Sequence, residues 1–164
     1  MKPLLHRRAK CLGFTMIELL VVMAVLGILA AAVLPLGETL LTAQKERELR
    51  RALLEIRTAL DEHKRVMDRS PAAVSAGSSG YPRNLTVLVE GIADPRPQSG
   101  ARTLYFLRRL PRDPFADPTL PAEQTWRLRS YASHPARPVP GADVYDVHST
   151  SDAKALDGTA YAQW

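Results

Sequence analysis

Two groups of residues in this chain have types and spacings that bear on chemistry. The first is Gly13-Phe14-Thr15-Met16-Ile17-Glu18, at the border between a basic tip, MKPLLHRRAKCLG, and a long apolar run. Glu18 is the one ionisable side chain between Phe14 and Leu36. A carboxylate inside hydrocarbon costs roughly 2.5–3.5 kcal/mol on insertion scales, so its place there needs a cause. One cause is helix capping, because Thr15-Met16-Ile17-Glu18 has the capping-box form, a hydroxyl residue answered by Glu three positions later. The other is a cationic partner, since burying one charge without the other is expensive. Spacing alone leaves both open. The second group is Asp146, His148, Ser149 and Ser151, which invites a nucleophile–base–acid reading. A triad needs its three members converging in space on a shaped pocket. These four are sequence neighbours on one expected strand and its exit, where side chains alternate in direction. The chain has no nucleophile elbow, phosphate loop or metal-ligand spacing, so the expectation is that it is not an enzyme.

The element that must carry Glu18 is the run Phe14–Leu36. As a helix it measures about 34 Å at 1.5 Å per residue, enough to cross a hydrocarbon core of roughly 30 Å. Gly27 and Pro35 interrupt it, and proline's missing donor predicts a kink near residues 31 to 35. Beyond Pro35 the helix resumes. Leu49, Leu53, Ile56, Leu60, His63 and Met67 recur at three- and four-residue spacing, with Ala52, Ala59 and Val66 beside them. That is one apolar stripe. His63 on it reads as a packed histidine rather than a ligand. Glu46, Arg47, Arg50, Glu55, Arg57, Asp61, Lys64 and Arg65 read as a solvated face.

Ser70-Pro71 ends this helix. Residues 70–80 form a small-residue loop, and a short helix follows around Leu85, Leu88 and Val89, capped by Asn84 and stopped by Gly91. In Leu107–Phe115, Pro111 and Pro114 forbid a regular helix or central strand, leaving a rigid turn that braces a sheet. Trp126–Tyr131 and Asp143–His148 alternate as strands, and Thr159–Trp164 adds a short edge strand. The fold class is therefore α+β: a long N-terminal helix packed on a small C-terminal antiparallel sheet.

Composition sets bounds. At 164 residues with 46% hydrophobic content, the chain holds one small head plus an anchor. The net charge of +5 suggests nucleic acid, but Lys2, Arg7, Arg8 and Lys10 all precede Phe14. Without them 18 basic face 17 acidic side chains, too little excess for a nucleic-acid footprint. The single cysteine, Cys11, lies in the same tip, so residues 14–164 can form no disulfide or thiolate metal site.

The order basic tip, Gly13, Phe14, Glu18, apolar run closely resembles the type IV prepilin processing signature. A secretory signal peptide has its cut after the apolar run, whereas here the candidate cut precedes it. The resemblance implies a leader at 1–13, removed after Gly13 by a membrane-embedded prepilin peptidase, with Phe14 then N-methylated. It implies a transmembrane and filament-core helix at 14–36, its amphipathic continuation at 37–69 and a periplasmic head at 70–164. The N-terminus is then cytoplasmic in a bacterial inner membrane crossed once. It favours pairing of Glu18 with the amine of Phe14 on a neighbouring subunit. It also implies that the Gly27–Pro35 segment loses helical hydrogen bonds in the filament.

Tyr81-Pro82, Leu110-Pro111-Arg112-Asp113-Pro114-Phe115, a strand pair and Trp164 resemble the G-type pseudopilins of type II secretion. That implies copolymers with itself and other pseudopilins, assembled on an inner-membrane platform to push folded proteins through an outer-membrane secretin. It also implies calcium, in the loop Ser149–Gly158. Here that loop offers Asp152, Asp157 and a lysine, against the six to eight oxygens calcium takes. The alternative is an ordinary turn tightened at Asp157-Gly158. Two other functions compete: a type IV pilin serving adhesion, motility or DNA uptake, and a tethered periplasmic binding domain. Pilin heads often carry a C-terminal disulfide loop, which a head without cysteine cannot form.

Overall fold

A computed structural model describes residues 14–70, 77–96, 100, 102–135 and 137–164, with backbone alone at 32 and 34–36. The leader and Gly13 lie outside the described residues, as do residues 71–76 of the small-residue loop. The chain divides into two compact units, Met1–Leu40 and Leu41–Trp164.

Helix α1, Met16–Asp68, begins in the first unit and ends in the second. It is helical through Gly27 and Pro35 without a break. A proline inside a helix removes one backbone donor, and the bonds on either side carry the helix past it.

In the second unit the apolar stripe of α1 organises the core. Leu49, Ala52, Leu53, Ile56, Ala59, Leu60 and His63 are all buried, while Val66 and Met67 at its end are half-buried. Leu85, Leu88, Leu107, Trp126, Val144, Val147, Ala155 and Tyr161 complete the core. His63 is the packed histidine its spacing predicts: Nδ1 lies 3.1 Å from the carbonyl of Gly80 and its ring is 5.2 Å from that of Phe106.

Helix α2, Val87–Glu90, is one turn. Asn84 Oδ1 accepts from the Val87 N–H at 3.2 Å, and Gly91 ends the turn at φ 80°. A Cβ at Gly91 would stand 2.6 Å from the carbonyl oxygen of Leu104, so glycine is required twice over. That close approach belongs to a strand pair which the sequence does not announce, β1 (Ile92–Ala93) antiparallel to β2 (Thr103–Leu104). The expected strands are present but shorter: β3, Trp126–Arg129, pairs antiparallel with β4, Asp146–Ser149, with Leu128 opposite Val147.

The expected edge strand at Thr159–Trp164 is not there. A lone bridge joins Lys154 to Ala160, and Tyr161–Gln163 then turns as a 3-10 helix. The turn delivers the Tyr161 ring into the core at 1% exposure, where it stacks on Phe115 at 4.2 Å. A flat edge strand would have kept it at the rim.

The two-proline turn does brace the sheet. Asp113 is buried, and its carboxylate accepts from Ser149 Oγ at 2.6 Å, the Thr150 N–H at 3.3 Å and the Phe115 N–H at 2.8 Å. Trp126 Nε1 donates to the Pro111 carbonyl at 2.9 Å.

Candidate functional site

Phe14 and Thr15 precede α1, and Thr15 caps it: its Oγ1 accepts from the Glu18 N–H at 3.3 Å. Half of the capping box is thus formed, and it puts Glu18 in the first turn, where a carboxylate also meets the positive end of the helix dipole. Glu18 is exposed. So is every other described side chain from Phe14 to Leu41, including Phe14 at 79% and Ile28 at 72%. At Gly27 a Cβ would meet nothing within 4 Å. The site is a helix whose large apolar side chains point outward, with one acid near its start.

Residues 8–34 match the family described as the prokaryotic N-terminal methylation motif. The chain carries the type IV prepilin-like signature. No curated protein and no solved structure matches it. The signature supports leader cleavage and N-methylation, and it implies processing by prepilin peptidase and pilin-like polymerisation. Type IV pilin-like proteins are structural rather than enzymatic. The long helix and small antiparallel sheets fit the α+β layout of a pilin fold. The motif suggests a membrane-anchored N-terminal helix. Among the described residues no helix is long and apolar enough to cross a membrane; the run read from the sequence continues through 32 and 34–36, whose side chains lie outside them.

In the second unit, Asp146 and His148 of the supposed triad stay adjacent, but Ser149 is bonded elsewhere. Ser149 Oγ is committed to Asp113, and Asp146 Oδ1 to Arg57 at 2.7 Å. His148 Nε2 stands 3.5 Å from Asp146 Oδ2. Burial pushes the pKa of His148 below its ordinary value; Asp146 and the Trp164 backbone oppose this, and Arg57 and Arg129 add to it. The ring is half-buried, its surroundings favour the neutral form, and the Ser149 hydroxyl is turned to Asp113 instead.

Asp152 and Asp157, the calcium candidates, each face a guanidinium, Arg127 at 3.4 Å and Arg50 at 3.6 Å. Among the described residues no group of three or more His, Cys, Asp or Glu could hold a metal ion.

Two residues assigned to the solvated face of α1 do something else. Arg57 is half-buried; it donates to Asp146 and to the carbonyls of Val147 at 3.0 Å and Trp164 at 2.6 Å, tying β4 and Trp164 to the helix. Glu46 is 8% exposed, and its Oε1 accepts from the Leu156 N–H at 2.7 Å and the Tyr161 hydroxyl at 3.1 Å. Burial, then Glu46, pushes Tyr161 up to about 12. One signal could have found Glu46: it lies three residues before Leu49, in phase with the stripe.

Proposed function

We propose that this chain is a structural subunit of a type II secretion pseudopilus. Prepilin peptidase cuts after Gly13 and methylates Phe14. The apolar half of α1 anchors the subunit in the inner membrane, with the head in the periplasm, and then packs with other subunits in the filament core. There Glu18 meets the free amine of Phe14 on a neighbour, and this pairing fixes the register between copies. An inner-membrane platform assembles the filament, which helps drive folded proteins through the secretin.

The observation that carries the reading is the motif at 8–34, whose helical part exposes every described apolar side chain. A helix apolar on every side needs an apolar medium or a packed assembly. Three features favour the pseudopilus: the cysteine-free head, the Leu110–Phe115 turn that braces β4, and the packing of Trp164 on Tyr161 at 5.1 Å.

Mass spectrometry of the native N-terminus tests the processing. The mature chain should begin at Phe14 and carry one added methyl group. A chain still beginning at Met1 would sink the proposal. Expression beside a type II secretion platform or a type IV pilus platform tests the finer reading. Sheared filaments containing this chain should appear with the first. Filaments formed only with the second would make it a pilin.

A further inference from the structure

The loop Ser149–Gly158 is the segment for which a bound cation is implied, and its donors test the fit. Asp157 Oδ1 accepts from the Thr159 N–H at 2.9 Å and the Thr159 hydroxyl at 2.6 Å, while Oδ2 faces Arg50. Asp152 faces Arg127. The Ser149 hydroxyl donates to Asp113 and that of Thr150 to the Thr125 carbonyl at 3.2 Å. The carbonyls of Ala153, Ala155 and Thr159 accept the N–H groups of Tyr161, Gly158 and Ala155. Calcium draws six to eight oxygens toward one point. Here the two acids are turned toward separate guanidinium groups, and the neutral oxygens into bonds within the turn or with Asp113 and Thr125. The residues present do not fit calcium.

We infer that helix α1 holds this loop shut in place of a divalent cation, with the Glu46 carboxylate as the pin and Arg50 beside it. Glu46 grips the loop at two points, the Leu156 N–H and the Tyr161 hydroxyl, both reached from inside the core. A carboxylate with so little water around it is stable there only while hydrogen-bonded, so its covered position and its grip on the loop go together. Arg50, one turn further along, faces Asp157 and lies 4.2 Å over the Trp164 ring. Its ion pair is exposed and contributes little alone, which leaves Glu46 as the stronger hold. The assignment is independent of which filament the chain joins, and of whether it joins one.

Hydrogen exchange of the full-length chain in detergent tests it, in excess chelator and in excess calcium. In the wild type, peptides covering 150–161 should exchange at one rate in both. Glu46→Ala should speed that segment roughly tenfold to a hundredfold, the loss of hydrogen bonds to a charged acceptor, and leave the β1–β2 peptides unchanged. Calcium should not restore the protection. Glu46→Gln keeps an oxygen acceptor and should give a smaller acceleration; it replaces the alanine variant if that one does not fold. Slower exchange of the wild-type loop in calcium would overturn the inference. So would unchanged exchange in the variant that folds.

Discussion

Both halves of α1 are rich in Leu, Val, Ile and Ala, yet they meet their surroundings in opposite ways. From Met16 to Leu41 every described side chain is exposed. From Leu49 to His63 the apolar side chains on one side are covered: Leu49, Ile56 and Leu60 are at 0% exposure. The difference lies in patterning. The second half places apolar residues every three or four positions and charges elsewhere, so cover along one side satisfies it. The first half is apolar on all sides, and nothing short of an apolar medium or several partner helices would satisfy it. One continuous helix thus joins a segment with its apolar side chains exposed to one with an apolar side covered.

If the two halves are separate in this sense, each should fail without the other. Glu18→Ala should leave leader cleavage, membrane insertion and head melting intact and abolish assembly. It would leave each neighbour's buried amine unpaired, a loss of roughly 3–5 kcal/mol per contact. Yields of sheared filaments report this, with N-terminal mass spectrometry on the same cells. Filaments at wild-type yield would remove the charge-pairing argument.

The converse change is Leu60→Ala, at 0% exposure against the head core. It should cost about 2–5 kcal/mol of head stability by denaturant unfolding, while cleavage at the leader continues. Leu26→Ala, at a position 54% exposed, is its control and should leave head stability unchanged. Equal effects of the two would mean that the first half is packed on something within the chain. A smaller loss is expected from Asp113→Ala, which strands the Ser149 hydroxyl and the N–H groups of Thr150 and Phe115. About 1–3 kcal/mol should go, because these donors cannot all reach water.

What could be read in the sequence divides along the same line. The processing motif and the α1 stripe are local, each defined by residues within a few turns of each other, and both are legible. Strands β3 and β4 are legible from alternation, although only four residues of each pair. The β1–β2 pair has two residues per strand, too few for any period to show. Glu46 and Arg57 look like solvated charges until their partners are known. Those partners lie 110 and 115 residues away for Glu46 and 89 to 107 for Arg57. The same distance hid the fate of Thr159–Trp164, whose turn is set by where Tyr161 must reach.

Mild acid should weaken the second unit. His63 and His148 both titrate below their ordinary 6.5, chiefly because burial disfavours the charged ring. The unfolded chain therefore binds more protons than the folded one just below pH 6.5. Their contribution to stability is complete at neutral pH and is lost as pH falls through 6.5 toward the lowered values. Melting temperature measured from pH 7.5 downward should decline before the carboxylates begin to titrate. His63→Asn, which keeps a donor for the Gly80 carbonyl and removes the titration, should flatten part of that decline. An unaltered profile would show that His63 is not a source of it.

The mildest change expected is Gly27→Ala. In the single chain an added Cβ would meet nothing within 4 Å, and alanine favours a helix over glycine by about 1 kcal/mol. Head melting should not move, because Gly27 lies in the other unit. In a filament the outcome divides two explanations. If the glycine marks a stretch that unwinds between Gly27 and Pro35, alanine should stiffen it, and filaments pulled in an optical trap should extend less at a given force. If it marks a close approach of packed helices, alanine should lower filament yield and leave extension of the remainder unchanged. The single chain is helical through both residues, so an unwound stretch in the filament would be a change on assembly.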